Sequence, residues 1–87
     1  MTHPVSTRPA AEIADWLAAY VAKALKLDAA GVDRDTRLFD MGMTSRQSVL
    51  MAGDLEDWLG VTLAPDVAWD HPTIHALAAL LGAPSRP

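Results

Sequence analysis

The 87-residue chain has no cysteine. That absence excludes a disulfide scaffold and any zinc site built on thiolates, and it suits a reducing cytoplasm, where the protein is expected to work. Basic side chains are also in short supply: seven lysines and arginines stand against eleven acids, for a net charge of −4. Without a basic stripe no nucleic-acid surface is expected, and the acidic body suits basic protein partners instead. No segment approaches the roughly 20 apolar residues of a membrane span. The opening MTHPVSTRPA is polar and broken by proline, unlike a signal peptide. Nor does any stretch alternate with a period of two, and no internal repeat is visible.

What remains is helix. Hydrophobic residues make up 51% of the chain, many of them alanine, which favours helices and close helix packing over bulk. The six prolines and five glycines fall mostly at the ends and between periodic stretches. At this length one domain is expected, near the small end of what folds without metal or disulfide. From Pro9, PAAEIADWLAAYVAKALKL places Ile13, Trp16, Leu17, Tyr20, Val21, Ala24 and Leu25 at helical spacing. Thr7 is positioned to cap this helix and Pro9 to sit in its first turn. Glu12 and Asp15 come early, Lys23 and Lys26 late, as the helix dipole favours.

DAAGVDRDTRLFDMGM then breaks the pattern and reads as a long loop pinned to the core by Val32, Leu38 and Phe39, with room for a single helical turn. A second helix, SRQSVLMAGDLEDWL, ends at Gly60 and turns Ser48, Met51, Ala52, Leu55, Trp58 and Leu59 inward. Pro65 and Pro72 divide the remainder into a short element around Asp66 to Trp69 and a final helix. Thr73 caps that helix, and Ile74, Leu77, Ala78 and Leu81 face in. The closing GAPSRP reads as linker or frayed end. The expected architecture is all-α, a four-helix bundle of three longer helices and one short one. Residues 1–8 form a leader, 9–82 the domain and 83–87 a tail.

The chemistry gathers at DMGMTSRQSV, where the loop meets the second helix. Thr44-Ser45-Arg46-Gln47 fits a capping box: the Thr44 oxygen accepts from the Gln47 amide, and the Gln47 side chain reaches back to the Thr44 amide. Ser45 is then the first helical residue and its hydroxyl is not needed for capping. It projects at the electropositive end of a helix, where free amides and the dipole favour a phosphate. A serine nucleophile needs a base, and none is near in sequence; His3, His71 and His75 reach it only through folding. No oxyanion-hole loop is apparent. The pattern suits a hydroxyl that receives a phosphate from another enzyme, as against a serine that merely opens a helix.

Together LFDMGMTSRQSV and the later VAWDHPTIHALAALL resemble an acyl carrier protein domain of the polyketide and fatty-acid synthase type. The similarity runs from Ile13 to about Leu81. It implies a four-helix bundle of acyl carrier type, non-catalytic, with 4′-phosphopantetheine on Ser45, transferred from coenzyme A by a phosphopantetheinyl transferase. Thr44 and Gln47 support the site as its cap. The arm's thiol then bears acyl groups as thioesters. The implied partners are that transferase, an acyl-loading enzyme (acyl-adenylate ligase or acyltransferase), a ketosynthase or condensation enzyme, and tailoring enzymes, with the carrier itself a monomer. SRQSVLMAGDLEDWLG is similar to carriers loaded by acyl-adenylate-forming ligases in polyketide and hybrid peptide assembly lines. The chain departs from the family in having Thr44 where aspartate is usual, Arg46 where leucine is usual and His71 where tyrosine is common. A peptidyl carrier of a nonribosomal peptide system is the neighbouring reading; an unmodified helical docking or scaffold domain is the rival of another class.

Met43, Arg46, Val49, Leu50, Gly53 and Asp57 are the expected partner contacts. All but Met43 form a second stripe on the helix, opposite the core. Val49 and Leu50 are bulky for a solvated face, and Gly53 costs about 0.5–1 kcal/mol in a helix interior relative to alanine. Asp54, Glu56 and Asp57 lie in the half of the helix where the dipole disfavours acids, so basic partner surfaces are the expected reason for them. At least one of Met41 and Met43 is expected in the core. Trp16, Trp58 and Trp69 read as core or core-edge packing, with Trp69 also bordering the space an acyl chain samples. His71 and His75 are four apart, but Pro72 between them argues against a shared metal, and no metal site is expected.

Overall fold

Alanine decides how the first helix packs. The structure, a computed structural model, describes residues 8–82; the Thr7 cap, His3, most of the leader and the tail at 83–87 lie outside the described residues. Helix α1 (Ala10–Leu25) buries Ile13, Leu17 and Val21 together with Ala14, Ala18 and Ala22. Its main packing partner is α4 (Ile74–Leu81), and the small side chains allow the two to lie close. Pro9 stands one position before the helix, not in its first turn, and its carbonyl accepts from the amides of Glu12 (3.1 Å) and Ile13 (3.2 Å). The helix closes without glycine. Lys26 adopts the left-handed conformation (φ 58°), and the Leu27 amide returns to the Ala22 carbonyl at 2.7 Å.

Trp16 and Tyr20 are only half-buried, so the core face lies to the alanine side of the stripe expected for α1. Their rings are used at the seam with α2 (Ser45–Leu59) instead. Trp16 stacks on Tyr20 and on Trp58 with ring centroids 5.2 and 5.1 Å apart, and the Arg8 guanidinium covers Trp58 at 4.3 Å. The Tyr20 hydroxyl donates to Asp54 at 2.8 Å. Burial pushes the phenol up to about 12, and the Asp54 hydrogen bond and charge push the same way. The neutral phenol is the form the fold favours, so its contribution is complete below the ordinary value of 10.0 and is lost as pH rises through about 12. The chain has one tyrosine, so an absorbance titration reads it alone. The midpoint is expected near 12 in the wild type and closer to 10 in Asp54→Asn; a wild-type midpoint at 10 means that the α1–α2 contact is absent.

The long loop is more ordered than its composition suggests. It holds two short 3-10 turns, Ala29–Gly31 and Leu38–Met41, where the sequence leads one to expect a single turn. Val32 (7% exposed) and Leu38 (0%) enter the core, and Phe39 packs half-buried against it. Polar contacts stitch the same loop to the helices. Arg34 pairs with Asp15 of α1 at 2.8 Å, its carbonyl accepts from the His75 amide at 3.1 Å, and Asp35 lies 2.7 Å from His75 Nδ1. The Leu38 amide donates to the Pro72 carbonyl at 2.8 Å. The Asp35 amide and the Thr36 hydroxyl hold the Asp33 carboxyl below its usual range.

Helix α2 buries Ser48, Met51, Ala52 and Leu55, with Trp58 and Leu59 half-buried, and Gly60 ends it at φ 71°. Helix α3 is a single turn, Val67–Asp70, and Thr73 caps α4 by accepting from the Ala76 amide at 3.0 Å. Two of the acids on α2 have partners inside the fold: Asp54 takes the Tyr20 hydroxyl, and Glu56 accepts from the Leu63 amide at 2.5 Å. The expectation that basic partners account for them is corrected accordingly.

Gly82 is corrected as well, because it belongs to the packed body. It is buried, and a Cβ built on it falls 2.6 Å from the Ala10 Cα. Backbone cannot yield as a side-chain tip does, so Gly82→Ala must push the end of α4 away from the start of α1. The expected loss is about 1–3 kcal/mol in urea unfolding; a neutral result means that the two ends do not meet in solution.

Candidate functional site

Gly42 makes the site possible. Its φ of 110° lies in the region that side chains with a Cβ avoid. Adopting it, the chain turns back after Leu38–Met41, and the Met43 amide reaches the Leu38 carbonyl at 3.2 Å. Met43 then drops into the core with 3% exposure. It has no surface to offer a partner, so its place among the expected contacts is corrected: the turn that delivers the serine uses Met43 as its anchor. Met41 remains half-buried against the core.

Thr44 caps α2. Its hydroxyl oxygen accepts from the Gln47 amide at 3.1 Å, and Gln47 Oε1 accepts from the Thr44 amide at 2.9 Å, so both halves of the box are formed. Gln47 Nε2 also approaches the Ala24 carbonyl at 3.5 Å, relating the cap to the end of α1. One turn on, the buried Ser48 hydroxyl donates to the Ser45 carbonyl at 2.7 Å. Both neighbouring hydroxyls are therefore committed to the backbone. Ser45 is the first residue of α2, it is exposed, and among the described residues its hydroxyl has no hydrogen-bond partner.

The surroundings fit an anionic group at that hydroxyl. Among the described residues the amides of Ser45 and Arg46 have no acceptor, and the first turn of α2 holds no acid. A helix N-terminus of this kind is electropositive and favours phosphate oxygens. Among the described residues nothing prepares the hydroxyl to act as a nucleophile by itself. His75 is engaged with Asp35, and among the described residues no hydrogen bond links a histidine to Ser45.

The remaining residues expected at the surface are there. Arg46 and Asp57 are exposed, Val49 is 47% and Leu50 56% exposed, and a Cβ on Gly53 meets open space. Neither charge sits where the helix favours it; the dipole penalises a cation in the first turn and an acid in the last by about 0.3–1 kcal/mol each. Sequence reasoning found no role for Arg37 or Asp40. With Phe39, Trp69 and Pro72 they line a cleft of about 350 Å³ ahead of α2. Phe39 and Trp69 stack on each other at 4.2 Å in its wall, and Trp69 is 58% exposed. No local pattern pairs these two aromatics, because they sit on elements that only folding brings together.

With that geometry in place, comparison with known proteins is direct. The chain belongs to the phosphopantetheine attachment site family, whose profile matches residues 15–81. It is therefore a carrier domain that bears the attachment site for covalently bound 4′-phosphopantetheine. It is 42% identical over 74 residues to one chain of the phenolphthiocerol/phthiocerol polyketide synthase of Mycobacterium tuberculosis, a match covering 85% of this chain and 4% of that protein. This chain thus spans a small fraction of that synthase protein. Over 77 residues it is 31% identical to the acyl carrier protein TtuC of Teredinibacter turnerae, covering 88% of each. An acyl carrier protein from Anabaena sp. PCC 7120, described as having a variant phosphopantetheinylation-site sequence, superposes with a TM-score of 0.80. It is 28% identical, and the match covers 94% of this chain and 93% of that one. The all-α carrier fold expected from the sequence is the fold observed.

Proposed function

We propose that Ser45 is the residue that receives the 4′-phosphopantetheine arm, and that the domain of residues 9–82 ferries biosynthetic intermediates between enzymes of a polyketide or hybrid polyketide/nonribosomal peptide assembly line in the cytoplasm. The observation that carries this reading is the division of labour at the start of α2: Thr44 caps, the Ser48 hydroxyl donates to the Ser45 carbonyl, and among the described residues the exposed Ser45 hydroxyl is left without a bond. When attached, the arm supplies a thiol that holds acyl groups as thioesters. The chain's own residues position it. The free amides of Ser45 and Arg46 face the phosphate with the positive end of the helix behind them, and the cysteine-free body offers no second thiol. In the modification step the Ser45 hydroxyl gives its proton to a base of the transferase, since among the described residues no histidine or carboxylate is hydrogen-bonded to it.

Similarity to part of a polyketide synthase and to a free acyl carrier protein supports the assembly-line setting. The proposed partners are the transferase, an acyl-adenylate ligase or acyltransferase that loads the thiol, a ketosynthase or condensation enzyme, and tailoring enzymes, each met by a monomeric carrier. The test is incubation with coenzyme A and a phosphopantetheinyl transferase, followed by intact mass and peptide mapping. One phosphopantetheine on the peptide containing Ser45 is expected. A modification mapped elsewhere, or none beside a carrier that the same enzyme modifies, overturns the proposal.

A further inference from the structure

Among the described residues Ser48 is the one polar side chain that is buried, at 1% exposure in a core otherwise apolar. The fold has little need of its hydroxyl. The regular helical pattern already gives the Ser45 carbonyl the amide four residues on, so the bond it takes from Ser48 at 2.7 Å is an additional one. Alanine at this position would leave no polar group unpaired. It is also the better helix former, since a serine bonded back to its own helix slightly destabilises it. What the hydroxyl adds lies in the peptide it holds.

That peptide joins Ser45 to Arg46. Its carbonyl takes the Ser48 hydroxyl, and its N–H is the Arg46 amide, which has no acceptor among the described residues. The two groups lie in one rigid plane, so fixing the direction of the carbonyl fixes that of the amide. A carbonyl that accepts a further bond also makes its own N–H a stronger donor, because hydrogen bonds in series polarise one another. The neighbouring amides differ. That of Gln47 is taken by the Thr44 oxygen at 3.1 Å. That of Ser45 belongs to the Thr44–Ser45 peptide, whose carbonyl accepts the Ser48 backbone amide at 2.9 Å, a bond that any residue except proline would make there.

We infer that Ser48 is a positioning residue for the phosphate of the arm. Its hydroxyl, acting through the Ser45–Arg46 peptide, aims the Arg46 amide at a phosphate oxygen and strengthens that amide as a donor. This role rests on the reading of Ser45 as the attachment residue. The ligand comes from the family, which is defined by phosphopantetheine attachment, and the buried hydroxyl is what sets the Arg46 amide apart from that of Ser45.

The test compares isotope-labelled wild type and Ser48→Ala, each before and after full conversion by coenzyme A and a phosphopantetheinyl transferase, with intact mass confirming the conversion. The readout is the rate at which the Ser45 and Arg46 amide protons exchange with water, measured by NMR. In the wild type, modification is expected to slow the Arg46 amide about tenfold, as a hydrogen bond to a charged acceptor does. In Ser48→Ala the same amide is expected to slow only about twofold, while the Ser45 amide slows equally in the two proteins. The Ser45 amide thereby controls for the charge of the phosphate, which acts on both amides. The urea midpoint of Ser48→Ala is expected at or above that of the wild type; a fall assigns the hydroxyl to the fold and overturns the inference. Equal slowing of the Arg46 amide in the two proteins overturns it too. So does a Ser45 amide that loses its slowing together with Arg46, which reports a helix start disturbed as a whole. A wild type that gains no mass at Ser45 removes the attachment reading and this role with it, whereas a mass gain with equal slowing removes this role alone.

Discussion

Ser45→Ala will take up no phosphopantetheine under conditions that convert the wild type completely, and its stability in urea will differ by no more than about 0.5 kcal/mol. Both halves of that result come from the same geometry. Three hydroxyls lie within five residues, and the structure commits two of them. The Thr44 oxygen accepts from the Gln47 amide at 3.1 Å, and the Ser48 hydroxyl is 1% exposed and donates to the Ser45 carbonyl at 2.7 Å. Neither can replace Ser45 without giving up a bond, and Ser48 would also have to leave the core. Among the described residues the Ser45 hydroxyl has no bond to lose, so its truncation removes a reactive atom and little else. A variant that still gains mass locates the attachment at another residue. A variant that loses more than about 1 kcal/mol shows that the hydroxyl supports the helix, contrary to the geometry.

Leu38→Ala is expected to have the largest effect on stability, about 3–5 kcal/mol. Leu38 is fully buried, its amide is tied to the Pro72 carbonyl at 2.8 Å, and its carbonyl receives the Met43 amide at 3.2 Å. The cavity left by the missing side chain has backbone tied on either side of it, which limits collapse. For a domain whose total stability is of the order of 5–15 kcal/mol, this is a large fraction. The functional consequence follows from position. The turn at Leu38–Met41 leads through Gly42 and Met43 to the cap, so loosening it frees the segment that presents Ser45. Modification by the transferase should slow even at temperatures where the variant remains folded. Leu27→Ala, at a leucine 44% exposed, should change stability by less than about 0.5 kcal/mol and leave the rate alone. If Leu38→Ala costs under about 1 kcal/mol, the loop is not anchored through this residue.

The helices were legible because their signals are local. Apolar spacing located α1, α2 and α4, and Thr44 with Gln47 marked the start of α2 to the residue, since a capping box is written within four positions. The register of the buried face in α1 was less legible. Spacing alone cannot tell whether a tryptophan or the alanine beside it faces inward when both lie near the stripe. The structure buries Ala14, Ala18 and Ala22 and leaves Trp16 and Tyr20 half-buried at the seam, where Trp16 stacks on both Tyr20 and Trp58. Met43 shows the same limit at the site. A methionine next to a cap reads as surface or core with equal ease, and the left-handed turn at Gly42 settles it.

Sequence by itself determined the helical class, the order of the elements and a serine at the first position of the second helix with a cap beside it. These depend on interactions within a few residues, which any short window of the chain contains. Tertiary structure alone decided which acids stay available: Asp54 and Glu56 are taken by Tyr20 and the Leu63 amide, while Asp57 is left outward. It also decided that Phe39 stacks on Trp69 in the wall of a cleft, that Gly82 must remain without a side chain, and that Met43 anchors the site from inside. Each of these is a contact between segments far apart in the chain, and its energy exists only once the core has brought them together.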